Sequence, residues 1–217
     1  MAPDDTWSIE TRSERRVRLV LGAVAVILVL AAVFLPVWQA KLKAPQYPKG
    51  LYLTAWGTKV EGDIAEINEL NHYVGMSAFS MDDVPETALW YPAMVLAVIG
   101  VIVGSVLARR NLVGKLARIG LWLVPIGALV DVQYRLYVYG RSMDPKAAIR
   151  LDPFIPKVIG PTKVLNFTTW ALPGTGVWCL FGAAFLVTFG PGLVRRVNAA
   201  MEKRREERAG TAASVTG

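Results

Sequence analysis

The sequence predicts an all-α membrane protein, a four-transmembrane-helix bundle carrying a small extracytoplasmic cap made of a strand hairpin, a short helix and a proline-rich loop. Three observations carry that reading. Four long stretches lack charged side chains; 53% of the 217 residues are hydrophobic; and the mean hydropathy of +0.38 is too high for one soluble domain of this length.

The first stretch, Leu19 to Val37, can cross ~30 Å of hydrocarbon at ~1.5 Å per residue. Trp38 follows where signal-peptide cleavage needs small side chains, so residues 18–38 read as an uncleaved anchor. The second, residues 88–108, opens on Trp90, Tyr91 and Pro92, an interfacial aromatic pair and a first-turn proline, and stops at Arg109 and Arg110. The third, residues 116–139, stays uncharged from Ile119 to Val130, then carries Asp131, Gln133 and Arg135. Its outer third is polar, and Pro125 could kink it. The fourth, residues 174–194, follows Pro173 and ends at Arg195 and Arg196. Residues 39–87 and 140–173 then form the cap, and residues 1–17, 109–115 and 195–217 lie on the other side.

Basic residues fix the orientation, because Lys and Arg near spans are retained in the cytoplasm. With both termini inside, 14 of the 24 basic residues and 7 of the 17 acidic ones are cytoplasmic, against ten of each outside. The expected location is the inner (cytoplasmic) membrane. The net charge of +7 is accounted for by topology and anionic lipid, which leaves no case for nucleic acid as a partner.

Within the first outer segment, APQYPKGL leads to a turn at Gly50, and Leu51 to Val60 favours an extended hairpin turning at Gly57. In DIAEINELNHYVGM, residues Ile64, Ile67, Leu70 and Val74 make one apolar helical stripe, with Asp63 as N-cap, Glu66 three residues on and Gly75 as the stop. The second outer segment has five prolines between Asp144 and Pro173 and reads as an irregular lid.

One Cys excludes an internal disulfide, a Cys₄ zinc site and CxxCH haem attachment; one His excludes HExxH. No paired carboxylates, phosphate-cradling loop or activated nucleophile point to an enzyme. The candidate metal ligands are His72 and Met76, with Met81 or Met143 as a third, since imidazole and thioether suit Cu(I). The alternative, which the residues favour, makes His72 a helix-end residue and Met76 a packing filler. Asp131 and Arg135 share a helix face as an intramembrane charge pair, either a relay or, the favoured reading, a structural anchor. Cys179 reads as packing.

Together, APQYPKGL, INELNHYVGM and IGPTKVLNFTTW resemble a family of small four-span bacterial membrane proteins, some encoded near nitrous oxide reductase maturation genes. The resemblance covers most of the chain outside its tails. It implies a membrane accessory protein close to copper-dependent denitrification or respiration. Two functions follow as expectations: presentation of Cu(I) at the outer face for maturation of a copper-dependent respiratory enzyme, or a structural or assembly subunit that docks a membrane or extracytoplasmic protein and holds no cofactor.

Overall fold

A computed structural model describes residues 12–79, 85–107, 111–143 and 153–215. Helix α1 (Arg12–Val33) runs directly into β1 (Trp38–Ala44), which turns at Pro45-Gln46 into β2 (Tyr47–Ala55) and then β3 (Val60–Gly62). Helix α2 (Ile64–Val74) follows, then a 3-10 turn (Pro85–Leu89) into α3 (Trp90–Val106), and α4 (Leu112–Arg141). The hairpin β4 (Gly160–Val164) and β5 (Phe167–Pro173) leads to α5 (Thr175–Thr188) and α6 (Gly190–Val215).

The all-α expectation is therefore corrected: the fold is mixed, with six helices and a five-stranded antiparallel sheet of order β3-β2-β1-β5-β4 among the described residues. The region read as an irregular lid supplies β4 and β5. Its prolines do not break the sheet, because Pro161 lies on an edge strand, where a missing N–H is tolerated, and Pro173 ends β5. Strand β1 is central, pairing Trp38 with Ala55 on one side and with Pro173 on the other. Gly50 is not a turn. It lies inside β2 at φ 82°, beside the register shift between Leu42 and Ala44.

Three helices, Ser13–Val33, Thr87–Val106 and Leu112–Arg141, are long and apolar enough to cross a membrane, and they mark the chain as a membrane protein. The fourth uncharged stretch is not one straight helix. Thr175–Thr188 and Gly190–Met201 meet at a 58° bend, where Pro191 cannot donate a helical hydrogen bond and Gly190 lets Leu21 approach to 2.8 Å of where a Cβ would sit. Helix α4 passes through Pro125 unbroken.

Small residues close the bundle: Ala25 and Ala32 of α1, and Ala183 and Ala184 of α5, are fully buried. Gly174 and Gly176 let the first amides of α5 donate to the carbonyls of Val37 and Pro36, both at 2.8 Å. Helices α1 and α5 therefore meet the sheet side by side, continuing into β1 and out of β5. At the opposite end, Arg118 of α4, 8% exposed, donates to the Gly104 carbonyl at 3.0 Å, and Arg18 donates to the Val106 carbonyl. Two guanidinium groups thus satisfy carbonyls in the last turn of α3, where the helix dipole favours positive charge.

Candidate functional site

Strand alternation aims one sheet face at the helices. Trp38, Ala40 and Leu42 of β1, with Leu51, Leu53 and Ala55 of β2, line a chamber of about 850 Å³. The stripe Ile64, Ile67, Leu70 and Val74 on α2 closes one side, and Phe167 and Thr169 of β5 another. The side toward the long helices consists of Trp90 and Ala93 of α3, and Val124, Ala128, Asp131, Val132, Arg135 and Leu136 of α4. The sheet's other face is exposed, and there Lys41 sits 4.6 Å from the Tyr52 ring centre.

Side-chain bonds to backbone hold the walls in place. Gln133 on α4 donates to the Pro156 carbonyl and accepts from the Val158 N–H, both at 2.9 Å. The Trp38 indole donates to the Val158 carbonyl at 2.8 Å. Asn68 makes the same two-sided bond to the Phe79 backbone, and the Tyr139 hydroxyl donates to the Ala78 carbonyl. The polar outer third of α4 thus scaffolds the loops beside the sheet.

Trp90 is fixed from above by a glycine: a Cβ on Gly57 would fall 2.0 Å from its ring. The Trp90 indole N–H is buried and has no hydrogen-bond partner. Asp131 and Arg135, one turn apart on α4, are half-buried and both line the chamber. Outside it, at the tip of the sheet, the Lys59 ammonium 2.5 Å from Glu61 holds that carboxyl below the ordinary glutamate range.

NHYVGM carries the end of α2. Gly75 takes the left-handed conformation at φ 76°, its N–H donates to the His72 carbonyl, and the Met76 N–H donates to the Asn71 carbonyl at 2.8 Å. The His72 side chain is exposed, its ring edge-on to Tyr73 at 6.4 Å. Met76 is half-buried, lines the chamber and pairs with Met143 through an isolated antiparallel bridge. Met81 lies outside the described residues. No three His, Cys, Asp or Glu side chains gather among the described residues. Cys179 is half-buried and packs against the bundle core. Asp63 precedes α2 as expected but does not cap it; its carboxylate accepts from the Tyr52 N–H at 2.7 Å, tying α2 to β2.

Asn68 and Arg118 also carry this architecture, and so do Trp38, Trp90 and Gln133, which the sequence marked only by their place at the ends of apolar stretches. Arg118 had a visible signal, an arginine between Ala117 and Ile119 within an apolar helix. The others depend on contacts between segments far apart in the chain. No family model, curated protein or solved structure matches this chain.

Proposed function

We propose that this protein is a non-catalytic, multi-pass protein of the cytoplasmic membrane, with both termini cytoplasmic, that binds an apolar molecule from the bilayer beneath its extracytoplasmic sheet. The observation that carries this reading is the chamber. It is open on one side, and a wall made mostly of Leu, Ile, Val, Ala and aromatic side chains favours an apolar occupant over water.

The test is organic extraction and mass spectrometry of the protein purified in nanodiscs, beside Leu53→Trp, which fills the chamber from the sheet side. A molecule retained stoichiometrically by the parent protein and lost from the folded variant supports the reading. Identical extracts matching bulk bilayer composition would remove it.

A second reading keeps Cu(I), because the Met76–Met143 bridge sets two thioether residues side by side next to the last turn of α2, where His72 lies. Competition with a chromophoric Cu(I) chelator under reducing conditions decides it. One-to-one binding lost in both His72→Ala and Met76→Leu supports that reading, and equal chelator retention in all three proteins rejects it.

A further inference from the structure

The chamber is not closed on the side of the helices. Leu89, which ends the 3-10 turn before α3, and Leu123 of α4 line it and yet are 64% and 60% exposed. Gly127, one turn beyond Leu123, also lines it, and a Cβ placed there would touch nothing within 4 Å. These residues form an open notch in the flank of α4. At ~1.5 Å per residue, about 20 residues counted from Leu112 cross the hydrocarbon and bring α4 to Asp131, so Leu123 and Gly127 lie within the apolar layer. The notch opens toward lipid tails.

The polar groups of the wall lie at that boundary. Gly100 faces Leu121, and ten residues further along this antiparallel pair Trp90 comes level with Asp131. Asp131 and Arg135 are the only charged residues lining the chamber among those described, and they are opposite in sign. Their opposite charges leave no net charge on the described wall to offset that of an ionised head, whereas a neutral polar end gives up less on leaving water.

Resting on the apolar-ligand reading above, we propose that the occupant is a neutral amphipathic lipid with a carbonyl or hydroxyl head. It enters sideways through the notch at Leu89, Leu123 and Gly127, its head stopping level with Trp90, Asp131 and Arg135 and its apolar chain lying under the sheet.

The experiment uses the full chain in nanodiscs with two photoactivatable probes carrying the same diazirine acyl chain, diacylglycerol and phosphatidylglycerol. Labelled peptides are mapped for the parent protein, Gly127→Trp, and Gly120→Trp, a matched change two turns away that also meets open space and lies outside the chamber. Diacylglycerol is expected to label β2 and α2, Gly127→Trp to lose that labelling and Gly120→Trp to keep it. Equal labelling of β2 and α2 by phosphatidylglycerol overturns the neutral head. Labelling that survives Gly127→Trp overturns the sideways entry but leaves the chamber reading intact. Labelling confined to lipid-facing positions such as Leu96 and Ile99, for both probes, overturns the chamber reading itself and assigns the filling to the chain.

Discussion

Gly57 shows how much one missing side chain can position. Its backbone carries the flat of the Trp90 ring, so the tip of the sheet and the start of α3 are registered through a single contact. Gly57→Ala is expected to displace the indole and destabilise the protein by about 1–3 kcal/mol, read as a lower unfolding midpoint with a shifted tryptophan emission. Arg118 gives the opposite case, a charge buried because its bond to the Gly104 carbonyl requires it. Removing it takes that donor from the Gly104 carbonyl and leaves Arg18 alone at the helix end. Arg118→Ala should cost about 3 kcal/mol in denaturant titration, whereas Arg196→Ala, fully outside the packing, should stay within ~0.5 kcal/mol.

Among the elements, α2 was the most legible. The spacing of Ile64, Ile67, Leu70 and Val74 gave its buried face, and Gly75 its end, because periodicity and a left-handed stop are local properties. What followed was not local. Asn68 reaches eleven residues along to both backbone groups of Phe79, and nothing in the spacing marks that bond. Asn68→Ala is expected to leave α2 helical but raise amide exchange at Phe79, while Gly75→Ala should shift the helix end at a cost of about 1 kcal/mol. The two measurements separate the helix from the loop it anchors. Strands β1 and β5 escaped notice for a related reason: each is joined directly to an apolar helix, and the alternation of Trp38, Ala40 and Leu42 is short beside the run preceding it. Prolines at 153, 156, 161 and 173 argued against regular structure, an argument that fails on an edge strand and at strand ends.

At the scale of the whole molecule, three helices long and apolar enough to cross a membrane were readable from composition, but the bend that divides the fourth stretch and the chamber were not. Its walls come from β1, β2, α2, α3, α4 and β5, and no stretch of sequence holds more than a part of them. The charged outer third of α4 looked like the end of a span with a charge pair. It is better understood as the outer third of a rod about 45 Å long, set by 30 residues at ~1.5 Å each, that joins the apolar part of α4 to the sheet. Lengthening or shortening the lipid tails of the nanodisc should therefore change the emission of Trp90 at the chamber wall, and a response absent in tails of every length would show that the rod does not couple the two.

The order of the strands also bears on how the chain is made. Strand β1 pairs with β2 at once, but its second edge waits for β5, which begins only at Phe167. At ~5–20 residues per second, about 130 further residues take on the order of ten seconds to synthesise. Through that interval the nascent hairpin presents Trp38, Ala40 and Leu42 beside an open row of amide and carbonyl groups. A chain ending at Ser142 should show fast amide exchange along that row, whereas one extending past Pro173 should show it slowed. Among the described residues, the last strand of the sheet thus closes the first, and the difference in exchange tests whether folding waits for it.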